Sequence, residues 1–167
     1  MITIVVVVVV AFTVMALLGK GFASAQRANA LAEQTPLLAE LAESLGGELM
    51  GPDKASTWSP KLRWPALTLA FQRGPWHVRV SETSRARGPG RGDTNVIFAH
   101  WIEIATVPVP HRRLPLEFFE LIFEDGFVRV ECGGQIQADE LVFLVDMIVE
   151  TLDLMSGVEP RDPSAIV

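Results

Sequence analysis

The chain has 167 residues, a net charge of −6 and one cysteine, Cys132. A single cysteine excludes an intramolecular disulfide framework. The chain is acidic, and no aromatic residue is interleaved with its arginine-rich loop, so we expect no nucleic-acid partner.

The charge is unevenly distributed along the sequence. Between Lys61 and Arg113 there are nine basic and three acidic residues, whereas between Leu114 and Val167 there are two basic and twelve acidic residues. Such a split indicates either a polarised surface or two segments that face each other in the fold.

The first apolar segment, residues 2–18, carries no charge. As a helix it would be about 25 Å long, at the short end of what a bilayer core of about 30 Å accepts. We predict a transmembrane anchor at residues 1–22, in contact with the lipid bilayer through residues 2–18, and a helical stalk at residues 23–35. The protein would then be a single-pass protein of the cell membrane.

A cleaved signal peptide is the main alternative, because Ala23-Ser24-Ala25 has the form of a cleavage site. Cleavage after Ala25 would release a secreted binding module. An anchor is favoured because no basic residue precedes the apolar run, which is longer than the apolar region of a typical signal peptide. A misassigned start codon is a third interpretation.

The basic residues that flank the anchor predict its orientation. Lys20 and Arg27 follow the apolar run, and no acidic residue occurs before Glu33. The positive-inside rule therefore places the C-terminal domain on the cytoplasmic side.

Residues 36–157 have the pattern of one α+β domain. Thr35-Pro36 is a typical helix start, and Gly46-Gly47 is a typical helix end. The proline-punctuated segment at residues 48–65 carries Trp58 and Trp64, which we expect to cover the edge of a core or to line a ligand site.

Alternating apolar residues predict a β-sheet after this segment. Residues 67–71 and 76–80 form a plausible hairpin with one solvent-facing side, joined by a turn at Arg73-Gly74. Residues 95–107 form the strongest strand, with His100 on its apolar face and Glu103 on the other. We predict a loop at residues 107–115, a strand or helical turn at 116–123, and a strand at 127–132 after the turn signal Asp125-Gly126.

The last element is a helix from Asp139 to about Met155. One apolar stripe faces the core, and a second apolar group lies beyond an acidic stripe, so the helix needs burial on two sides or a partner. Residues 158–167 are predicted to form a flexible tail. The expected fold is thus α+β, with an N-terminal transmembrane helix and an antiparallel sheet of about five strands between an N-terminal and a C-terminal helix. The second apolar group consists of Phe143, Met147 and Leu154.

Few residues have the spacing that catalysis or metal binding requires. Alternation places His77 and His100 on opposite faces of their strands, which argues against a shared metal site. Cys132 aligns with Val128 and Val130 and should point into the core, where a thiol is usually inert. No nucleophile elbow, P-loop or dinucleotide-binding motif occurs, so we expect no cofactor and no metal.

The loop at residues 85–93 is the strongest surface signal. Its arginines on a Gly/Pro scaffold are candidates for contact with anionic lipid headgroups, although a solvated hairpin tip has the same composition. These candidates are Arg85, Arg87 and Arg91. The tripeptide Arg91-Gly92-Asp93 is too short to be informative.

These patterns favour a non-enzymatic membrane protein whose domain binds an unknown protein partner or a second copy of itself. The binding surface would be the second apolar group of the last helix. The first alternative is a membrane-bound enzyme with a pocket near Trp58, Trp64 and His100. The second alternative is the secreted binding module.

Overall fold

The computed structural model describes residues 25, 28–29, 31–62, 65–86 and 96–165. The first helix, α1, is continuous over residues 31–44. It is followed by seven strands, a second helix α2 and a short 3-10 turn at Pro163–Ala165. Their bounds are β1 Glu48–Met50, β2 Leu67–Arg73, β3 Trp76–Ala86, β4 Val96–Ala105, β5 Arg112–Pro115, β6 Glu120–Glu124, β7 Phe127–Gly133 and α2 Ala138–Asp153.

The strands form one antiparallel sheet in the order β1-β2-β3-β4-β7-β6-β5. The α+β class and the antiparallel sheet are confirmed. The estimate of about five strands is wrong, because the described residues form seven. The two additional strands, β1 and β5, are the short edges of the sheet, and β5 lies inside the predicted loop at residues 107–115.

The helix end and the tight turns follow from local sequence. Gly46 has φ +64°, its N–H donates to Glu43 O at 3.1 Å, and the N–H of Gly47 donates to Ala42 O at 2.8 Å. This pair of hydrogen bonds is a Schellman motif, which satisfies the last carbonyl groups of α1. Gly126, at φ +85°, closes the predicted turn between β6 and β7.

Both helices pack on the same side of the sheet, which we call the helix face. Leu38 and Ala42 of α1 and four residues of α2 join the apolar side chains of β2, β3, β4 and β7 in one buried core. The four residues of α2 are Leu141, Val145, Ile148 and Leu152. All four belong to the apolar stripe that the helical period predicts, which consists of Leu141, Leu144, Val145, Ile148, Leu152 and Met155.

Polar contacts fix α2 against the hairpin of β2 and β3. Arg73 makes a bidentate ion pair with Asp146, at 2.6 and 2.7 Å, and Trp76 Nε1 donates to Asp153 at 2.9 Å. The basic segment at residues 61–113 and the acidic segment at residues 114–167 therefore face each other in part, through ion pairs such as this one. Lys61 with Glu124 is a second pair that crosses between them.

The opposite side of the sheet, the loop face, is covered by the segment at residues 51–62. Trp58 lies over Arg79, with 4.6 Å from the guanidinium carbon to the ring centroid. Thr68 and Glu103 have no exposed surface. The prediction of a solvent-facing side is therefore wrong at the centre of the sheet, because alternation does not reveal that a loop covers the polar residues.

The predicted anchor lies outside the described residues, whereas residues 25, 28–29 and 31–35 of the predicted stalk are described and are helical. Within the described part of the chain, no helix is long and apolar enough to cross a membrane. The start of the predicted tail is docked on the sheet: the N–H of Val107 donates to Glu159 O at 2.9 Å, and Val158 is buried.

Candidate functional site

Three polar side chains lie side by side on the helix face, near one end of the sheet. The register pairs Glu82 of β3 with His100 of β4, and His100 with Cys132 of β7. Side chains at directly opposed positions have Cβ atoms about 4.5–5.5 Å apart. The sheet thus places a carboxyl, an imidazole and a thiol in one row.

A cavity of about 250 Å³ opens beside this row, between the end of the sheet and the first turns of α2. Leu141 and Leu144 supply the large apolar side chains of its lining. This volume is below the range of about 300–1,000 Å³ that is typical for drug-sized ligands. The other lining residues are His100, Cys132, Gly133, Gly134, Gln135, Gln137 and Glu140.

The hydrogen bond of His100 fixes its tautomer. Nδ1 lies 3.1 Å from the carbonyl oxygen of Gly134, which can only accept, so Nδ1 carries the proton. Burial lowers the pKa of His100, and the bond to Gly134 offsets this only in part. At neutral pH the ring is therefore uncharged, and Nε2 is a hydrogen-bond acceptor.

The thiol of Cys132 is a poor nucleophile in this environment. Burial raises the pKa of Cys132 to about 11. Because the thiolate is the reactive form, the side chain stays protonated and weakly reactive at neutral pH. The row of three residues therefore resembles a catalytic triad in composition but lacks an activated nucleophile.

Glu82 is fully buried behind the cavity. Its Oε2 accepts from the N–H of Ile136 at 3.1 Å, while Oε1 has no hydrogen-bond partner. Burial raises the pKa of Glu82, and the bond from Ile136 lowers it by less. Gln34 of α1 donates to Ile136 O at 3.1 Å, so the backbone N–H and C=O of Ile136, two residues before α2, link the sheet to α1.

A second polar group lies on the loop face and holds the covering segment in place. Glu103 accepts from the N–H of Trp58 at 2.8 Å and from the N–H of Ser59 at 2.9 Å. Arg129 donates to Ser59 Oγ at 3.0 Å and lies 4.2 Å above the ring of Trp101. These contacts are internal and buried, which indicates a structural role.

The structure does not assemble the pocket predicted for the enzyme alternative. His100 faces α2, whereas Trp58 lies on the loop face with Arg79 and Glu103. Trp64 lies outside the described residues. No group of three or more potential ligands that could hold a metal ion occurs in the described ranges.

The second apolar group is largely on the surface of α2. Phe143 is 66% exposed and Leu154 is 87% exposed, while Met147 between them is half-buried. Of the basic-loop candidates, Arg85 belongs to the end of β3. Arg87 and Arg91 lie outside the described residues.

Sequence reasoning assigned no role to Glu82 or Glu140, which the fold brings close to His100. The alternate positions of β3 that face the core are Trp76, Val78 and Val80, and the next such position is Glu82. This period is the signal in the sequence that points to a buried Glu82. Its pairing with His100 depends on the register between β3 and β4, which no local pattern specifies.

Comparison with known proteins yields no match: no family model, no curated protein and no solved structure is significantly similar to this chain.

Proposed function

We propose that this protein is a membrane-tethered binding module whose α2 docks an apolar and basic segment of a different protein. The observation that carries the proposal is the ridge formed by Phe143, Met147 and Leu154. At about 100° per residue, these three positions fall within about 40° of arc, directly opposite the buried stripe of α2. Two large apolar side chains exposed to water on such a ridge are typical of a docking surface.

The spacing of the ridge fits a helical or extended partner segment. Positions 143, 147, 150 and 154 follow the four-three-four spacing by which one helix packs along another. Burial of a Phe or Leu side chain contributes about 1.5–3 kcal/mol, so a partner that covers Phe143 and Leu154 gains apolar burial at both positions.

Charge favours a different protein over a second copy. Helix α2 contains five acidic residues and no basic residue, and Glu150 lies on the ridge itself. A two-fold symmetric contact would bring the acidic ridges of two copies together, and like charges at an interface are unfavourable. The expected partner therefore presents Lys or Arg beside its apolar residues.

Site-specific photo-crosslinking in cells tests this surface. A benzoylphenylalanine at position 143 should form one discrete adduct, and the crosslinked peptide should contain apolar residues next to Lys or Arg. The matched control is position 118, where Phe118 is 77% exposed on the turn between β5 and β6. Met147→Asp should abolish the adduct at 143 and leave the circular dichroism spectrum unchanged.

Two results would contradict the proposal. The first is an adduct at position 143 that equals the one at position 118, since this would mean random encounter. The second is an adduct formed with another copy of the same chain, since the acidic ridge would then mediate self-association.

We also propose that residues 2–18 tether the domain to the membrane on its cytoplasmic side. The support is the uncharged run followed by Lys20 and Arg27. A cysteine at Gly90, in a Cys132→Ser background, should react with an impermeant maleimide only after the membrane is opened. Labelling from outside intact cells would reverse the topology, and a mature amino terminus at Gln26 would identify a cleaved signal peptide.

A further inference from the structure

The cavity beside His100 and the docking ridge share helix α2, because Glu140 and Leu144 line the cavity while Phe143 belongs to the ridge. Helix positions 140 and 144 are about 60° and 100° around α2 from Phe143, so these two lining residues lie on the flank of the helix beside the ridge. Glu140 belongs to the lining and is also exposed. We therefore expect a long side chain of a segment that lies on the ridge to reach the cavity across this flank.

We propose that this cavity is a subsite for a primary ammonium group on a short alkyl stem, supplied by a lysine side chain of the docked partner. The proposal rests on the proposed function, because the lysine comes from the same partner segment.

The polar groups of the cavity match an ammonium group. His100 Nε2 is an acceptor because Nδ1 donates to Gly134. Glu140 provides a carboxylate, and an ammonium group has three N–H donors and no acceptor. Of the described residues that line the cavity, Glu140 is the one acidic residue, while burial keeps His100 neutral and Cys132 protonated.

The remaining features of the cavity fit the same ligand. Leu141 and Leu144 offer an apolar wall, against which the methylene stem of a lysine packs while its charged end stays near polar groups. The positive end of the α2 dipole would disfavour a cation, but Asp139 and Glu140 in the first turn oppose it. A small volume also suits a single side chain better than a larger metabolite.

The test uses the full chain in non-ionic detergent with n-propylammonium chloride as the probe. The ring resonances of His100, identified by their loss in His100→Gln, should shift with saturation at millimolar probe, as expected for so small a ligand. Sodium propanesulfonate, which has the same stem and the opposite charge, should leave these resonances in place.

Glu140→Gln should weaken propylammonium binding about tenfold, which corresponds to the loss of one charge-assisted contact. Glu140 is exposed, so the variant should fold. The matched control is Glu117→Gln, an exposed acid on the turn between β5 and β6, which should bind the probe like the wild-type protein.

Equal shifts with propylammonium and propanesulfonate, or equal affinities for Glu140→Gln and Glu117→Gln, would overturn the subsite. This outcome is separable from failure of the docking ridge. The probe contacts the cavity without the partner, so Met147→Asp should abolish the crosslink at position 143 and leave propylammonium binding intact.

Discussion

Replacing each of the two buried glutamates by glutamine should have clearly unequal effects on stability. Glu103 uses both carboxylate oxygens as acceptors, for the N–H groups of Trp58 and Ser59. A glutamine has one oxygen and one NH2 group, so one backbone donor would face another donor inside the protein. Glu82 uses one oxygen, and glutamine preserves that acceptor for Ile136.

The expected magnitudes follow from these contacts. Glu103→Gln loses one hydrogen bond to a charged group and leaves a buried N–H unpaired, for a total cost on the order of 3 kcal/mol. For a chain of this size, that corresponds to a decrease in melting temperature of about 6–12 °C. Glu82→Gln keeps the hydrogen bond from Ile136 and should cost less than about 1 kcal/mol or stabilise the protein.

The sign of the pH dependence distinguishes Glu82→Gln further. Burial raises the pKa of Glu82 above its usual value of 4.5 in the folded state, so the folded protein holds this proton more tightly than the unfolded chain. The corresponding stability is present below about pH 4.5 and is lost as the pH rises through the folded pKa. Glu82→Gln removes this loss, so its stability relative to wild type should increase from pH 4.5 to pH 8.

Urea denaturation of the full chain in detergent, followed by tryptophan fluorescence, measures both variants. Trp58 and Trp101 lie in the group that Glu103 organises and report its loss directly. Equal destabilisation by the two substitutions at pH 7, or a Glu82→Gln variant that becomes relatively less stable toward pH 8, would refute the reasoning.

Three further perturbations have defined outcomes. Gly47→Ala should lower the free energy of unfolding by about 1–3 kcal/mol in the same assay, because the new Cβ would lie 2.7 Å from Phe71 Cβ. The control Gly51→Ala, whose Cβ would have no atom within 4 Å, should be neutral. Equal effects of the two substitutions would contradict the close approach at Gly47. Cys132 should react slowly with iodoacetamide at pH 8 and rapidly in urea, since burial raises its pKa to about 11; equal rates in both would show an accessible, ordinary thiol. Alanine at Arg85, Arg87 and Arg91 should weaken binding to anionic liposomes in a flotation assay by about 1 kcal/mol per charge removed. Binding to neutral liposomes should not change. An unchanged affinity for anionic liposomes would mean that these arginines face solvent.

Local signals in the sequence determined the elements that need only their own residues. The 3.6-residue period of α2 specified that Leu141, Val145, Ile148 and Leu152 would be buried together. The glycines after α1 specified a helix end, since φ > 0 at Gly46 has little cost without a Cβ. The α+β class follows from the sequence of such periods along the chain.

Strands β1 and β5 could not be predicted with the same reasoning. Each has three or four residues, and β5 reads Arg-Arg-Leu-Pro, a composition with little intrinsic preference for a strand. They exist because β2 and β6 offer unpaired backbone groups at the right place. Their formation is thus a property of the neighbouring strand, which is distant in sequence for β1.

The sequence by itself therefore determined the α+β class, the core stripe of α2 and the outer ridge at Phe143, because helical and strand periods are local. The tertiary structure decided the burial of Glu103, the pairing of Glu82 with His100, and the meeting of His100 and Glu140 around one cavity. Burial of Glu103 requires that a proline-rich segment fold over the loop face, and the cavity requires a particular register between β3, β4 and β7. Both depend on contacts between residues far apart in sequence, which no local pattern encodes.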